Sequence, residues 1–434
     1  MKIAILGYGR QGISSYNYWK ENNQIEIRDQ FNIANPSNNV VVKTGENYLN
    51  DLDQFDLLIR SPKLYPLDIV KSNQSDILNK VTSNTNEFFR VCPTKNIIGV
   101  TGTKGKGTTS TLIARMLEKS GKRVHLGGNI GIPPLDLLNN DIKEDDYVVL
   151  ELANFQLIDL KYSPHISVCL MVVAEHLDWH KSLEDYINSK KQLFKYQTTD
   201  DIAIYFNDNE LSKEIVDAGQ AQKIPYFKSP GAIIENEIIK IDNQNICHIK
   251  DLKLPGKHNL ENVCAAITVV WQITKDIDAI KSTLLSFSSL PHRIELIRHY
   301  KDIDFYNDSF ASVSDATIAA VEAINHKKVL IVGGYDRMLP LNNFVTKIVE
   351  NKDTIEKILL IGQSANRVAS ELEKSSYYDF TILESKRMTE IVNYAINIAK
   401  PGQAIVLSPG FPSFDMFKDF EERGLIFKET VESL

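Results

Sequence analysis

The sequence has little cysteine, no strong excess of charge and no long hydrophobic run. Its four cysteines lack the spacing of a metal site or a disulfide framework, which fits reduced thiols; they are Cys92, Cys169, Cys247 and Cys264. A net charge of −7 over 434 residues gives no electrostatic reason to expect nucleic acid or an anionic membrane as a partner. Because no run of about 18 apolar residues occurs, we expect no membrane span.

The length and the order of predicted elements indicate several domains. At about 150 residues per domain, 434 residues predict about three domains. Strand and helix patterns alternate through the chain, which predicts an α/β protein of three consecutive α/β domains at residues 1–93, 94–297 and 298–434. The first predicted strand follows the initial methionine directly, so we expect no secretory segment and a cytoplasmic protein.

A glycine-rich turn lies within residues 97–110, IIGVTGTKGKGTTS, between a predicted strand and a predicted helix. Glycines let backbone amides converge on an anion, the helix N-terminus adds a positive dipole, and Lys106 can reach terminal phosphates. The pattern departs from GxxxxGK[ST], because Val100 replaces the first glycine and Gly107 follows the lysine. We expect ATP or GTP here; the alternative is an ordinary turn without a ligand.

A second glycine turn, GYGRQG, follows the first predicted strand and contains Gly7, Gly9 and Gly12. Asp29 ends the next predicted strand, at about the distance where a dinucleotide-binding fold places the acid that holds a ribose hydroxyl. The residues therefore favour a nucleotide-phosphate turn. A tight turn without a ligand and an NAD-dependent oxidoreductase are the alternatives.

Polar side chains follow two further predicted strands. YVVLE delivers Glu151, and the segment ISVCLMVVAEHLDWH is predicted as a strand that delivers Glu175, His176, Asp178 and His180. Since strand carboxyl ends line the ligand crevice of open α/β sheets, these groups suit Mg²⁺ bridging nucleotide phosphates. A solvated acid and a plain hydrogen-bonding histidine are the alternatives.

Three other segments carry candidate residues. A predicted helix at SLEDYINSKKQLFKYQ places Tyr186 and Lys190 four apart on one face, although a lysine there would normally be a surface charge. The side-chain amides of Asn259 and Asn262, at the start of the predicted helix GKHNLENVCAA, are most often helix caps, but such amides can also bind an adenine edge. LPHRIE is predicted as an interdomain connection, and a later predicted strand ends at Asn307 and Asp308.

Nine segments resemble, in order and approximate spacing, the motifs of the Mur ligases, from about residue 3 to residue 430. They are TGTKGKGTT, GGNIGIP, ELANFQL, EHLDWH, GKHNLENVCAA, LPHRIE, YNDSFAS, LIVGGYDR and LSPGFPSFDMFKDFEERG. The resemblance implies a Rossmann-like N-terminal domain that binds a UDP-linked substrate, a P-loop ATPase-like central domain and a Rossmann-like C-terminal domain that binds an amino acid. The implied reaction adds D-glutamate to UDP-N-acetylmuramoyl-L-alanine through an acyl phosphate, in peptidoglycan precursor synthesis.

The resemblance also implies roles for individual residues. Lys106, Glu151, His176 and Lys190 are implied to be catalytic, with Lys190 carbamylated. The implied ATP contacts are Gly102, Thr103, Lys104, Gly105, Lys106, Gly107, Thr108, Asn259, Asn262, Arg293 and Asp308. Two Mg²⁺ ions are expected at Thr108, Glu151, His176 and Lys190. The implied UDP-substrate contacts are Gly7, Tyr8, Gly9, Arg10 and Asn129, and the implied amino-acid contacts are Ser312, Arg337, Ser413, Phe414 and Phe420.

Three positions depart from the family pattern. Gly107 removes a hydroxyl that usually binds Mg²⁺, Phe310 stands where many of these ligases carry a lysine, and Arg337 replaces a lysine in the amino-acid pocket. An L-glutamate-adding muramoyl ligase and a non-catalytic nucleotide-binding paralogue therefore stay open as alternatives. Folylpolyglutamate synthase is disfavoured because its pattern lacks a domain such as residues 1–93. We expect a monomer that binds neither nucleic acid nor membrane.

Overall fold

The computed structural model describes residues 1–33, 40–177, 179–254 and 256–434. The chain divides into two compact units, one formed by residues 1–251 and 258–286, the other by residues 252–257 and 287–434. No helix in the described part of the chain has the length and apolar character needed to cross a membrane.

The N-terminal part of the first unit is a parallel sheet. Its strands are β1 (Lys2–Leu6), β2 (Gln24–Asp29), β3 (Val41–Thr44), β4 (Leu57–Arg60) and β5 (Val81–Ser83), in the order β3-β2-β1-β4-β5. Its helices are α1 (Arg10–Trp19), α2 (Pro66–Lys71) and α3 (Asn84–Val91), with a 3-10 helix at Ser75–Lys80. The strand order reverses at β1 and β4, so the GYGRQG turn after β1 begins at the switch point where such sheets bind ligands.

The segment LDIVKSNQSDILNKV, residues 67–81, has a helical pattern in the sequence but does not form one continuous helix. The segment forms α2, a break at Ser72, the 3-10 helix and β5. Asn73 explains the break, because its Nδ2 donates to the carbonyls of Leu49 and Ile69 and its Oδ1 accepts from the amide of Leu52. A side chain that bonds to backbone in this way competes with a continuous helix.

The rest of the first unit is built on a second parallel sheet. Its strands are β6 (Ile97–Thr101), β7 (Val124–Gly128), β8 (Tyr147–Glu151), β9 (Ile166–Cys169), β10 (Ile202–Phe206) and β11 (Gln222–Tyr226), in the order β11-β10-β9-β6-β8-β7. The helices are α4 (Lys106–Lys119), α5 (Asn154–Leu157), α6 (Leu183–Lys195), α7 (Glu210–Val216), α8 (Lys257–Trp271) and α9 (Ile277–Ser286), with 3-10 helices at Pro134–Asn140 and Ile249–Asp251. An antiparallel sheet is formed by β12 (Ile233–Glu235), β13 (Ile238–Ile241) and β14 (Gln244–His248).

Strand β6 is buried along its whole length, as expected for a central strand of a sheet covered on both faces. It lies between β8 and β9, with Val100 opposite Glu151 and Thr101 opposite Cys169. The carboxyl ends of these three strands therefore meet at one edge. This edge positions the glycine-rich turn, Glu151 and the segment that follows Cys169.

The strand predicted to deliver Glu175 and the two histidines is too long. Strand β9 ends at Cys169. Beyond it, the chain bonds to the glycine-rich turn: the amide of Thr103 donates to the carbonyl of Met171, and the amide of Val173 donates to Oγ1 of Thr103. Glu175 and His176 therefore lie in a loop attached to that turn.

The second unit contains a mixed sheet. Its strands are β15 (Glu295–Tyr300), β16 (Ile303–Asn307), β17 (Lys328–Gly333), β18 (Ile355–Ile361), β19 (Phe380–Ile382) and β20 (Ala404–Leu407), in the order β15-β16-β20-β17-β18-β19. Only β15 and β16 pair antiparallel among these described strands. The helices are α10 (Ser314–Ala323), α11 (Asn342–Glu350), α12 (Ala365–Lys374), α13 (Met388–Ile398) and α14 (Phe420–Glu432), with a 3-10 helix at Lys352–Thr354.

The predicted α/β class is confirmed by these sheets and their covering helices. Glu295, predicted in a connection, is instead the first residue of β15. The predicted domain boundaries after residues 93 and 297 remain predictions. Strand β15 runs across the second of them.

A buried arginine ties the N-terminal sheet to the second sheet within the first unit. Arg60, at the end of β4, donates from Nε and Nη2 to the two carboxylate oxygens of Asp159 at 2.7 and 2.6 Å. It also donates to the carbonyls of Leu64 and Phe155 at 2.8 and 3.0 Å. Because Arg60 is buried, water cannot replace these partners if the side chain is removed.

We expect Arg60→Met to lower the free energy of unfolding by about 3 kcal/mol, because it leaves Asp159 without its buried partner. Urea unfolding followed by circular dichroism measures the change. Arg90→Met is the matched control, since it breaks a pair with Glu87 whose arginine side chain is 59% exposed. That pair contributes about 0.5 kcal/mol or less. Equal losses in the two variants would contradict the role of Arg60.

Candidate active site

The glycine-rich turn joins β6 directly to α4, as the sequence predicts. Gly102 and Gly105 adopt φ values of +151° and +86°, which favour glycine. A Cβ on Gly105 would collide with Oδ1 of Asn262, and one on Gly102 would lie 2.7 Å from Cβ of Leu170. No side chain caps the N-terminus of α4 among the described residues. The first amides of α4 are therefore suited to an anion.

Two lysines meet at this turn. Nζ of Lys106 donates to the carbonyl oxygens of Gly102 and Thr103 at 3.1 Å each, and Nζ of Lys190 donates to the same oxygen of Gly102 at 2.9 Å. Lys190 is only 1% exposed. Burial, with a contribution from the charge of Lys106, lowers the pKa of Lys190 to about 7. The interpretation of Lys190 as a surface charge is therefore wrong.

Helix α6 brings Lys190 to this position. The hydroxyl of Ser182 caps the helix by accepting from the amide of Asp185, and the ring of Tyr186 lies 4.6 Å from Nζ of Lys190. The hydroxyl of Tyr186 is 2.8 Å from Oγ1 of Thr103. Lys191, one position on, instead pairs with Glu214 at 2.7 Å. The four-residue step from Tyr186 therefore identified the inward-facing lysine.

Glu151 is a buried carboxylate with few partners. It is 4% exposed, and among the described residues its carboxylate receives one hydrogen bond, from Nδ2 of Asn129 at 3.4 Å. The amide of Asn129 also donates to the carbonyl of Glu151 at 2.8 Å. A buried carboxylate with spare acceptor capacity suits a hard cation. The interpretation of Glu151 as a solvated acid is wrong.

Glu175 and His176 lie in the loop attached to the glycine-rich turn. Oε1 of Glu175 pairs with Nζ of Lys104 at 2.8 Å, and Oε2 lies 3.6 Å from Nε2 of His176. Although burial acts to raise it, the Lys104 ammonium holds the pKa of Glu175 below its usual value. Asp178, from the same motif, lies outside the described residues.

Two of the predicted magnesium ligands, Glu151 and Thr108, carry the oxygen atoms that Mg²⁺ prefers. Glu151 offers carboxylate oxygens, and Thr108 offers a hydroxyl in the first turn of α4, where the residue is buried. His176 offers an imidazole. In residues 1–33, 40–177, 179–254 and 256–434, no group of three or more histidine, cysteine or acidic side chains gathers as a metal site. An ion here would therefore depend on phosphate oxygens and water for much of its coordination.

The two predicted adenine contacts lie in α8. Nδ2 of Asn262 donates to Oδ1 of Asn259 at 3.0 Å, and Oγ1 of Thr109 donates to Oδ1 of Asn262 at 3.4 Å. Because α8 begins at Lys257, both asparagines lie inside the helix and neither is its N-cap. The pair connects α8 to α4 next to the glycine-rich turn.

The predicted UDP-substrate contacts surround the first glycine turn. Gly7 has φ +95°, and α1 begins at Arg10 after Gly9, without a side-chain cap in the described part of the chain. The amides of Tyr8 and Phe31 donate to the two oxygens of Asp29 at 2.7 and 2.9 Å. Asp29 therefore connects the loop after β1 to the loop after β2 at the carboxyl edge of the N-terminal sheet. The sequence did not indicate this role.

Asn129 belongs to the loop after β7, which reaches the same glycine turn. A terminal nitrogen of Arg10 is 3.5 Å from the carbonyl of Gly131 in that loop. Asn129 therefore contacts Glu151 on one side, while its loop meets Arg10 on the other. This loop brings the predicted UDP-substrate contacts and the predicted metal ligand into one connected region.

The remaining predicted ATP contacts lie in the second unit. Asp308 is buried and accepts from Oγ of Ser408 at 2.6 Å and from the amide of Ile294 at 3.1 Å. Burial raises the pKa of Asp308 to about 7. The guanidinium of Arg293 stacks 3.8 Å from the ring centroid of Phe310. Phe310, where a lysine was expected, thus supports an arginine.

A pocket in the second unit brings together two of the five predicted amino-acid contacts. Ser312 and Arg337 line it, and Nη2 of Arg337 donates to the carbonyl of Ser312 at 2.9 Å. Ser413, Phe414 and Phe420 are not among its lining residues. Ser413 is buried, the exposed ring of Phe414 faces Tyr335, and Phe420 packs edge-on against Phe310.

Sequence patterns missed the residues that hold the His176 loop. Asn154, His180, Asp185 and Tyr65 form a hydrogen-bonded chain beside His176. His180 is predicted from the sequence as one of the strand-end groups suited to Mg²⁺, but its ring nitrogens bond to Asn154 and Asp185 instead. Tyr65 lies in a segment without any motif. Most of these residues are far apart in the sequence, and only their hydrogen bonds in the folded protein connect them.

Comparison with known proteins gives a consistent result along the chain. Residues 100–270 match the Mur ligase middle domain, and residues 292–411 match the domain described as "Mur ligase, glutamate ligase domain". A protein of Acetivibrio thermocellus named UDP-N-acetylmuramoylalanine--D-glutamate ligase is 38% identical over 90% of this chain and 85% of its own length. A protein of the same name from Clostridium kluyveri is 35% identical over 91% of this chain and 87% of its own length.

Solved structures agree on the fold. UDP-N-acetylmuramate-alanine ligase MurC from Thermotoga maritima is similar with a TM-score of 0.62 at 16% identity, covering 100% of this chain and 99% of that chain. MurF ligase from Thermotoga maritima, solved in complex with ADP, is similar with a TM-score of 0.61 at 18% identity, covering 99% and 95%. At these identities the similarity concerns the fold alone.

We expect Asp308→Asn to raise the melting temperature by about 3 °C near pH 8 and to change it little near pH 5. Between the usual aspartate pKa of about 4 and the folded value of about 7, the folded protein holds a proton that the unfolded chain has released. The stability contributed by this carboxyl therefore falls as the pH rises through that window, and asparagine removes the effect.

Calorimetry at the two pH values measures this difference. Asp353→Asn, at an exposed position of the same unit, is the control and should show the same melting temperature as the parent protein at both. A gain from Asp308→Asn that is equal at both pH values would contradict the titration of Asp308.

Proposed function

The chain belongs to the Mur ligase family, and on that premise we propose that it is an ATP-dependent ligase that adds D-glutamate to UDP-N-acetylmuramoyl-L-alanine, in the synthesis of a peptidoglycan precursor. The relatives that carry the name of this activity match about nine-tenths of the chain. The observation that carries the proposal is the meeting of Lys106 and Lys190 at Gly102, in a phosphate-binding turn.

The reaction has two steps. The alanyl carboxylate attacks the γ-phosphorus of ATP, which forms an acyl phosphate and releases ADP. The amine of glutamate then attacks the acyl carbon, the amide bond forms, and inorganic phosphate and a proton leave. Both the carboxylate and the triphosphate are anions, so bringing them together requires cations and backbone amides between them.

Most of these groups lie in the first unit, at one edge of its second sheet. The amides of residues 102–108 and the ammonium of Lys106 bind the phosphates. Asn259 and Asn262, beside the turn, are proposed to bind the adenine, and Arg293 and Asp308, in the second unit, are proposed to hold phosphate and ribose. Electrostatic stabilisation by such preorganised groups is commonly the largest single contribution to catalysis.

Glu151, His176, Thr108 and a carbamylated Lys190 are the residues that would hold Mg²⁺, with two ions proposed. When bound, the metal neutralises charge on the phosphoryl oxygens. The isolation of Glu151 supports the assignment, because a buried carboxylate with one long hydrogen bond needs a further cationic partner. Gly107 offers no hydroxyl, so Thr108 takes that place in the proposal.

Carbamylation of Lys190 is supported by the environment of its amine. Only a neutral amine attacks carbon dioxide, and a pKa near 7 leaves a substantial neutral fraction at physiological pH. The ammonium first loses one proton, and the neutral amine then forms an N–C bond to carbon dioxide and loses a second proton, which leaves a carbamate anion. This converts a repulsive neighbour of Lys106 into an anion that suits both Lys106 and a metal ion.

The substrates are assigned to two further sets of residues. Gly7, Tyr8, Gly9 and Arg10 are proposed to bind the uridine diphosphate, with Asn129 at the substrate diphosphate. The pocket lined by Ser312 and Arg337 is proposed for glutamate, because a guanidinium can hold a carboxylate by two parallel hydrogen bonds. Ser413, Phe414 and Phe420 remain proposed contacts outside that lining. We also propose a cytoplasmic monomer.

The decisive experiment measures ADP formation by the purified protein with Mg·ATP, UDP-N-acetylmuramoyl-L-alanine and either D- or L-glutamate. We expect ADP and phosphate only when the muramoyl nucleotide and D-glutamate are both present. Activity with L-glutamate instead would establish the L-glutamate-adding alternative. Binding of Mg·ATP without ADP formation under any amino acid would favour the non-catalytic paralogue.

We expect Lys190→Ala to lower kcat by at least about a hundredfold, and a short-chain carboxylate such as formate to restore part of it, because the added anion replaces the carbamate. Steady-state kinetics across formate concentrations measure the rescue. Lys191→Ala is the matched control, since it removes the adjacent lysine and its exposed pair with Glu214. It should keep nearly full activity and show no response to formate. A Lys190→Ala variant that formate does not restore would contradict carbamylation.

A further inference from the structure

His176 lies in a turn whose backbone is unusual. Its φ of +57° is in the left-handed region, which is uncommon for residues other than glycine and costs free energy. The amides of Trp179 and His180 donate to its carbonyl at 3.0 and 2.9 Å, closing the turn. Such a conformation persists only where the surroundings hold it.

His180 is the main support of this turn. Its side chain is fully buried, with Nε2 2.7 Å from Nδ2 of Asn154 and Nδ1 2.8 Å from Oδ2 of Asp185. Because the amide nitrogen of Asn154 donates, Nε2 accepts and Nδ1–H donates to the carboxylate, which fixes the ring orientation. Both ring nitrogens are thereby satisfied inside the protein.

Aromatic rings surround His180 and reach His176. The ring of Phe155 lies 4.9 Å from that of His176, 4.7 Å from that of Trp179 and nearly parallel to that of His180. His180 also packs edge-on against Tyr186, at 5.3 Å between centroids. The imidazole of His176 is therefore positioned by a packed cluster that His180 orders.

The chain of bonds continues into the N-terminal sheet region. The hydroxyl of Tyr65 donates to both oxygens of Asp185, at 2.9 and 3.0 Å. The indole Nε1 of Trp179 donates to the carbonyl of Lys63 at 2.8 Å, and the rings of Tyr65 and Trp179 lie 4.9 Å apart. The segment after β4 is thus bonded to both sides of the turn that carries His176.

We propose that His180 is a positioning residue for the ligase reaction. Fixed by its hydrogen bonds to Asn154 and Asp185, it holds the turn and the aromatic cluster that keep His176 in place for the metal ion. Tyr65 extends this support to the part of the chain proposed to bind the uridine diphosphate. The inference rests on the proposed function, because it takes His176 as a metal ligand. Groups that orient metal ligands from behind commonly change metal affinity by 10- to 100-fold when they are removed.

The test compares metal binding and activity in His180→Ala and the parent protein. Mn²⁺ bound in the presence of ADP is measured by electron paramagnetic resonance, independently of turnover. We expect the dissociation constant of Mn²⁺ and the Mg²⁺ concentration for half-maximal activity each to rise by at least about tenfold. At saturating Mg²⁺, kcat should recover to within about threefold of the parent value.

Tyr65→Phe is the second variant, because it keeps the ring against Trp179 and removes only the hydrogen bonds to Asp185. We expect it to weaken Mn²⁺ binding about fivefold, the effect of losing one such bond. It also keeps the proposal testable if His180→Ala does not fold. His165→Ala is the matched control, since His165 pairs with Asp201 at 3.0 Å on the exposed side of the same unit. It should leave both constants within about twofold.

Unchanged Mn²⁺ binding in both His180→Ala and Tyr65→Phe would overturn the proposal, even if kcat fell. Weakening equal to that of His165→Ala would also overturn it. If the parent protein binds Mn²⁺ with ADP but forms no ADP from ATP, the proposed function fails, and the Mn²⁺ comparison still decides the role of His180.

Discussion

Two ammonium groups share one carbonyl oxygen at the end of strand β6, in the first unit. Lys106 and Lys190 both donate to the oxygen of Gly102, and Lys190 does so while almost completely buried. Burial lowers the pKa of Lys190 to about 7, and repulsion by the neighbouring charge of Lys106 adds to this effect. An anion relieves that repulsion. The proposed phosphate chain on the turn and the proposed carbamate on Lys190 would each provide one.

The arrangement depends on the order of strands in the second sheet. Strand β6 carries the turn and lies between β8, which ends at Glu151, and β9, which precedes the loop of His176. A cationic turn and a buried carboxylate thereby leave the same edge of the sheet. Parallel strands bring their carboxyl ends together by topology, so residues far apart along the chain converge without any local signal.

Two of the three departures from the family pattern, Phe310 and Arg337, have structural accounts within the second unit. Phe310 carries no charge, but its ring supports the guanidinium of Arg293, so a cation remains in that region. Arg337 lines a pocket where its planar group is directed by the carbonyl of Ser312. An arginine in place of a lysine favours bidentate binding of a carboxylate, with stricter geometry. Both regions therefore keep a cationic side chain, although the residues that provide it differ from the family pattern.

The sequence by itself determined the local elements of this protein. The glycines identified the turn at residues 102–105, an apolar run of strand length identified β6, and a four-residue step on a helix identified the face of Lys190. Each of these patterns depends only on neighbours in the chain. Only the tertiary structure decided which groups lose water and which charges meet. Lys190 and Gly102 are 88 residues apart, and the burial that shifts the lysine comes from elements separated in sequence. Periodicity cannot report a contact of that kind, because solvent exclusion is a property of packing in space.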